Sequence, residues 1–412
     1  MRKKESNNGA ITAQQLFRLP WTMADNAMTW LEPTRFCNIS CDACFAQSDP
    51  DSQKTLNQIK SEIETLLKLR KCDAILIAGG EPLTHPQIVE ITDLVKQFKV
   101  KPVIVTNGVT LGDKLVHELK QAGLHGITFH VDSHQSRPYW EGKNEKELNQ
   151  LRQYFADMLF EEGNLVCSFN MTVFPDTLDY VPDVVDWAVQ NIKKVHILSL
   201  IAVRTIDPDG DFDYYAGNMK IDMSEMAYSS YQNYKSLTSL DIYRQVKSIL
   251  PDFRLCAFIG GTIFPDSLKW TLGCHVGYPG VSFGNIGAKS MELLQNFHHF
   301  TRGHYLAYSK PSLSRKGKPL LAFSLLDPEL RKTARKYFSS LIRNPGLMLK
   351  RLYTQSINIM QPVDILPSGE VDICDGCPNK TLWQNRLVSS CRLDDYLKFG
   401  TALHSVPKRE GK

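Results

Sequence analysis

Thr29-Trp30-Leu31-Glu32-Pro33-Thr34-Arg35-Phe36-Cys37-Asn38-Ile39-Ser40-Cys41-Asp42-Ala43-Cys44 runs from a short apolar stretch straight into three cysteines spaced C-x3-C-x2-C. A four-iron cluster takes four ligands, usually cysteine thiolates, so a compact trio leaves one iron for another molecule to bind. Function is read outward from that coordination.

On either side of the trio the chain alternates between two periodicities. Short β-rich runs occur at Thr29 to Glu32, Ala74 to Ala78, Val103 to Thr106, Ile127 to Val131, Val166 to Val173 and Val195 to Ile201. Between them, Ile59, Ile63, Leu66 and Leu67 share one helical face, and Leu115 to Ala122 and Val181 to Val189 behave alike. Repeated β-α units imply a parallel sheet, open or closed, that presents ligand groups at the carboxyl ends of its strands. The cysteine trio follows the first strand, Gly79-Gly80-Glu81-Pro82 the second, Thr106-Asn107-Gly108 the third and His130-Val131-Asp132-Ser133 the fourth. Two glycines allow a ligand close to the backbone, and the carboxylate after them can pair with an ammonium group.

With 412 residues, 42% of them hydrophobic, the chain can bury a full-sized core, and one large domain with a smaller one is expected. No window approaches the roughly 18 to 20 unbroken apolar residues of a membrane span. The start, Met1-Arg2-Lys3-Lys4, lacks the apolar core of a signal peptide, so a cytoplasmic protein is expected. In a reducing compartment, clustered cysteines read as metal ligands or reactive thiols rather than disulfides. Net charge is only +4, yet residues 302–351 hold twelve Lys or Arg against Asp327 and Glu329, which leaves −6 for the remainder. Such asymmetry points to an anionic partner.

The trio and the Gly79-Gly80-Glu81-Pro82 turn, in this order, resemble the radical S-adenosylmethionine (radical SAM) superfamily over residues 28–205. The resemblance implies an α/β fold, a partial (β/α)6 TIM-like barrel, with Cys37, Cys41 and Cys44 on a [4Fe-4S] cluster whose fourth iron chelates SAM. It places Gly79, Gly80 and Glu81 at the SAM amino group, and Asn107, His130, Asp132 and Ser133 along its ribose and methionyl parts. It also implies reductive cleavage of SAM to a 5′-deoxyadenosyl radical, fed by a one-electron reductant such as flavodoxin or ferredoxin. Two positions depart from the family pattern. Ala43 stands where many members have an aromatic residue, with Phe45 after the third cysteine, and His130 stands where relatives commonly have a serine. His130 reads equally as a ribose contact, a substrate acid or base, or a hydrogen-bonded histidine under a loop.

Cys374-x2-Cys377-x13-Cys391 follows a turn, Leu366 to Val371, and resembles the auxiliary-cluster region of radical SAM enzymes with SPASM or Twitch extensions. A second iron-sulfur cluster is expected there, with Cys274 or Cys256 as candidate fourth ligand. A zinc site completed by Cys274 or His275 is the alternative, since sulfur tetrahedra suit both metals. Cys72 and Cys167 fall in apolar elements and receive no role.

From Leu330, the residues Ala334, Tyr337, Phe338, Leu341 and Ile342 share a helical face while Arg331, Lys332, Arg335 and Lys336 fall largely elsewhere. A basic amphipathic helix packs on the barrel with a solvated face or lies on an anionic membrane surface. Aromatic-basic interleaving of the kind that binds nucleic acid is not evident. The tyrosine-rich segment from Ile206 to Gly273 reads as a small helical insertion capping the barrel mouth. His298 and His299 point to different helix faces, so a metal shared between them is not expected.

The expected layout is an N-terminal extension at 1–27, a radical SAM core at 28–205, a helical insertion with the basic amphipathic region at 206–360, and an auxiliary-cluster region at 361–412. The expected activity is hydrogen abstraction from an unidentified substrate, lipid-like or anionic. A peptide-modifying radical SAM enzyme is the runner-up, and a non-catalytic iron-sulfur or zinc scaffold the reading of another class.

Overall fold

In the computed structural model, which describes residues 11–408 apart from 227, 228, 230 and 232–236, a two-residue strand β1 (Phe17–Arg18) precedes six β-α units. These are β2 (Met28–Thr34), α1 (Leu56–Leu69), β3 (Ala74–Gly79), α2 (Ile88–Gln97), β4 (Lys101–Thr106), α3 (Asp113–Gln121), β5 (Gly126–His130), α4 (Asn149–Glu162), β6 (Val166–Val173), α5 (Val181–Gln190), β7 (Ile197–Ala202) and, after a hairpin, α6 (Ser239–Ile249). Local chemistry sets these limits. Thr55 and Gln58 form a reciprocal capping box that starts α1, whose Ile59, Ile63 and Leu66 then recur at helical spacing and are buried. Strands β2 to β7 pair in chain order, every neighbour parallel. That is the partial (β/α)6 barrel.

Successive strand residues alternate between two cores. Ile75 and Ile77 of β3 join the layer beneath the helices, whereas Ala74, Leu76 and Ala78 turn to the barrel interior with Met28, Trp30 and Val103. Tyr305, Ala307 and Tyr308 pack against that interior cluster.

The sheet does not stop at β7. The strand β13 (Tyr353–Met360) pairs parallel to it and the antiparallel β11 (Trp270–Tyr278) follows, its far edge shared by two antiparallel strands, β10 (Leu255–Ile259) along its first half and β12 (Val281–Ile286) along its second, with β1 parallel to β10 outermost. The expected helical insertion is therefore corrected. Residues 206–273 carry a hairpin of β8 (Phe212–Ala216) and β9 (Met219–Ile221), then α6, β10 and the start of β11. Leu255 to Ile259 is a fully buried apolar run, the mark of a strand covered on both faces, and this outweighs the tyrosine count. Tyr228 and Tyr234 lie outside the described residues.

The sheet's two edges, β1 and β2, are spanned by the C-terminal region, whose short strands are β14 (Asp364–Ile365), β15 (Val371–Asp372), β16 (Lys380–Trp383), β17 (Arg386–Ser389) and β18 (His404–Pro407). Arg18 pairs with Asp375 at 2.7 Å, Asn26 Nδ2 donates to Gly376 O at 3.0 Å and Thr29 Oγ1 to Lys380 O at 2.8 Å. A bridge joins Gly261 to Cys374.

Among the outer helices are α7 (Ala288–Arg302), the single-turn α8 (Pro311–Ser314) and α9 (Gly317–Leu320), α10 (Pro328–Arg343) and α11 (Leu393–Phe399). The basic helix α10 buries Leu330, Thr333, Ala334 and Tyr337 but leaves Phe338 and Ile342 outside, at 54% and 84% exposure. The sequence-derived face is thus shifted by one row. Phe338 and Ile342 fall in line with Arg331 and Arg335 at i, i+4, i+7 and i+11, off the packed stripe. No helix among the described residues is long and apolar enough to cross a membrane.

Candidate functional site

The cysteine loop leaves the carboxyl end of β2 and is held by its neighbours rather than by its thiols. Cys37 N–H donates to Ser48 Oγ at 3.0 Å, Ser40 N–H to Ser136 Oγ at 2.8 Å and Asp42 N–H to His134 O at 2.9 Å. Arg35 joins Glu32 at 3.2 Å to Asp394, and Asp394 also accepts from Gln47 N–H at 2.8 Å, which ties α11 to the loop. The chain turns at Ala43 through a left-handed conformation (φ 52°). Cys37, Cys41 and Cys44 come together half-buried. Burial pushes all three thiols up, and for Cys41 and Cys44 the charges of neighbouring cysteines add to it.

The turn after β3 supports this loop from below. An added Cβ at Gly80 would stand 2.3 Å from Phe36 O and 2.4 Å from Arg35 O, so glycine lets the two backbones touch. Gly79 takes φ +111°, a conformation that L side chains rarely adopt. Glu81 is buried, its carboxyl raised by burial, and its oxygens accept from Thr106 Oγ1 at 2.6 Å, Leu83 N–H at 2.9 Å and Asn107 N–H at 2.7 Å. Oε2 takes only the Asn107 bond and so keeps a lone pair for a further donor. Asn107 Nδ2 donates to Asn38 Oδ1 at 2.7 Å and lies 3.9 Å from Cys37 Sγ.

At the end of β5, His130 Nε2 meets Asp132 Oδ2 at 2.9 Å and Thr172 Oγ1 at 3.0 Å, which favours its reading as a hydrogen-bonded histidine. Burial works to raise the Asp132 carboxyl, but the His130 hydrogen bond and charge prevail and hold it below its ordinary value. Ser133 N–H donates to Glu145 Oε1 at 2.6 Å, and Glu145 pairs with Arg152 in full burial. Arg137, not singled out in the sequence, donates to Asn107 O at 2.6 Å and His130 O at 3.1 Å, joining two strand ends. A lone arginine in a loop carries no spacing that would have found it.

The second trio lies at the seam. Cys374 and Cys377 share a hydrogen bond that lowers Cys377 and raises Cys374, and Cys391 is near enough for its charge to act on Cys374. Lys269, Lys380, Arg70 and Arg392 surround the three sulfurs, and Arg70 donates to Cys377 O at 2.7 Å. Cys274 is not their fourth partner. It sits mid-strand in β11 opposite Ser356 and Ile286, whereas Cys374 bridges Gly261, beyond the far end of β10. With Ile259 paired to Trp270, that separation is on the order of 20 Å along the strand. Cys256 and His275, embedded in β10 and β11, are removed by the same geometry. Cys72 and Cys167 belong to the core, as expected.

Three thiols converging beside a side-chain-free Gly-Gly turn suit a [4Fe-4S] cluster with one iron left for a ligand. Buried thiols with raised pKa values become thiolates when a metal displaces their protons.

Residues 31–188 match the Radical SAM superfamily. The AdoMet-dependent heme synthase of Methanosarcina barkeri is 30% identical over 114 residues, 27% of this chain and 32% of that protein. The GTP 3′,8-cyclase of Chlorobaculum tepidum is 35% identical over 106 residues, 24% of this chain and 31% of that protein. Each likeness thus takes in about a third of the relative's length. The solved structure of Streptococcus suis SuiB bound to precursor peptide SuiA aligns over 55% of this chain and 46% of its own at 16% identity, with a TM-score of 0.40. Residues 31–188 thus carry a radical SAM domain, and the members of that superfamily are enzymes that use a [4Fe-4S] cluster and SAM.

Proposed function

We propose that this chain cleaves SAM reductively and abstracts a hydrogen atom from a lipid-like or anionic substrate. The convergence of Cys37, Cys41 and Cys44 at the carboxyl ends of β2 to β5 carries the first half of the reading. Cys37, Cys41 and Cys44 would hold a cluster that, reduced by a one-electron donor such as flavodoxin or ferredoxin, would supply the electron that breaks the sulfonium carbon–sulfur bond of SAM to give methionine and a 5′-deoxyadenosyl radical. The chain's own residues position and shield. Glu81 Oε2 accepts from the SAM ammonium while Gly79 and Gly80 admit it to the backbone. Asn107, Asp132 and Ser133 line the ribose and methionyl parts, and His130 offers Nδ1, its Nε2 being engaged. Water is kept away by the strand-end loops that Arg137 binds together.

Cys374, Cys377 and Cys391 hold the second cluster in this reading. With Cys274 and Cys256 removed, the trio has no fourth cysteine among the described residues, which supports a substrate-facing iron. Anaerobically reconstituted protein is expected to hold about eight irons, by counting two four-iron sites. Cys391→Ala should lower this to about four and spare the SAM-responsive cluster signal. Zinc in place of iron, or a cluster signal that ignores SAM, would remove the proposal.

The substrate half rests on the surface of residues 302–351. Leu325, Leu326, Phe338, Ile342, Met348 and Leu349 are all more than half exposed among its basic residues. Apolar knobs within a cationic field fit the headgroup boundary of an anionic bilayer. Each cation near such a surface is worth about 1 kcal/mol. Neutralising Arg331, Lys332, Arg335 and Lys336 together is therefore expected to weaken binding to phosphatidylserine vesicles by about a thousandfold. Unchanged vesicle binding would leave the peptide reading ahead.

A further inference from the structure

The opposite end of the barrel holds a cluster that the SAM chemistry does not use. After α7 the chain folds back beneath the strands' amino ends, where His299 Nε2 meets Asp25 Oδ2 at 2.8 Å and His125 Nε2 meets Tyr308 O at 2.9 Å. Between these contacts, Asp73, His298 and His304 each bring one ligand atom to within 4.8 Å of the others. Asp73 immediately precedes β3, the length of that strand away from the cysteine loop, roughly 20 Å.

The groups around the cluster orient it. His298 Nδ1 is 2.9 Å from His304 O, and a proton donated there leaves Nε2 with its lone pair. Asp73 Oδ2 accepts from Lys101 Nζ at 2.5 Å and Ala307 N–H at 2.9 Å, while Oδ1 faces His304 Nδ1 at 3.7 Å. That nitrogen is buried and has no hydrogen-bond partner. The separation is too long for a hydrogen bond and near the roughly 3.3 Å between two ligands of a tetrahedral ion with bonds of about 2.0 Å.

We propose that Asp73, His298 and His304 bind a divalent transition-metal ion, which clasps residues 298–308 to the barrel floor. Two imidazoles and one carboxylate suit zinc or a neighbouring first-row ion, whereas Mg²⁺ and Ca²⁺ seek oxygen ligands. Lys101 also disfavours a purely electrostatic cation. Three ligands leave a coordination position for water. His299 pairs instead with Asp25.

The test uses full-length protein with its iron-sulfur clusters reconstituted, given one equivalent of zinc chloride and desalted. About one zinc should remain, with nitrogen and oxygen scatterers at about 2.0–2.1 Å in its absorption edge spectrum. His298→Ala and His304→Gln should each lose that zinc and the zinc-dependent rise in Tm. His298 is half-exposed on a helix, so its alanine variant tests the site even where His304→Gln fails to fold. Zinc that fails to remain on wild type, is bound only through sulfur, or is unaffected by His298→Ala overturns the site. Because the clusters stay loaded, these outcomes are independent of SAM cleavage.

Discussion

Replacing Cys37, Cys41 and Cys44 together by alanine is expected to bring 5′-deoxyadenosine formation to background while the fold survives. The loop is bound by groups other than sulfur. Ser48, Ser136 and His134 hold its backbone, and Asp394 fixes Arg35 and Gln47 at its base. Alanine retains the Cβ and the backbone N–H groups that make these bonds, and it relieves three thiols that burial already disfavours as anions. The triple variant should therefore unfold near the wild-type temperature and lose about four irons. Liquid chromatography of a reaction with SAM and dithionite reads the product directly. Continued 5′-deoxyadenosine production would remove the cluster from this loop. Loss of product together with collapse of the fold would mean that the thiols hold the loop themselves, contrary to the bonding described.

What the sequence made visible follows from distance along the chain. Strands β2 to β7 are buried on both faces, so each appears as an apolar run, and the polar groups at their ends mark the site. Helix α1 was legible because Ile59, Ile63 and Leu66 repeat within 14 residues. Asp394 was not, because its partner Arg35 is 359 positions away and neither residue has a local pattern. Arg137 and Asn38 act by bonding strand ends that only the closed sheet brings together. Cys274 looked eligible as a ligand because spacing counts residues but not directions, and β11 carries it away from the seam. The same limit hid Asp73 from His298 and His304, which meet only after α7 folds under the barrel. Strands β10 and β11 were missed for another reason. Their antiparallel pairing begins after a segment rich in tyrosine, where no β-α alternation remains to set the expectation.

Arg152→Met is expected to cost about 3–5 kcal/mol, the largest stability effect of any single change considered. Both Arg152 and Glu145 are wholly buried. Arg152 donates to Glu145 O at 2.7 Å, Asn149 Oδ1 at 2.8 Å and Val131 O at 2.8 Å, besides pairing with the Glu145 carboxylate. A methionine of similar length fills the volume but leaves that carboxylate without a countercharge and Val131 O without its donor. Most of the loss should come from the orphaned charge, so Arg152→Met with Glu145→Leu should recover more than half of it. The double variant still cannot restore the acceptor for Ser133 N–H. If the loop after β5 lines SAM, its SAM affinity should remain several-fold weaker than wild type even though its fold is regained. Urea unfolding of the reconstituted protein gives the first quantity, and SAM titration of the cluster signal the second. A single variant as stable as wild type would show that the pair's desolvation cancels its attraction. A double variant with wild-type affinity would show that the Ser133 segment lies outside the SAM site.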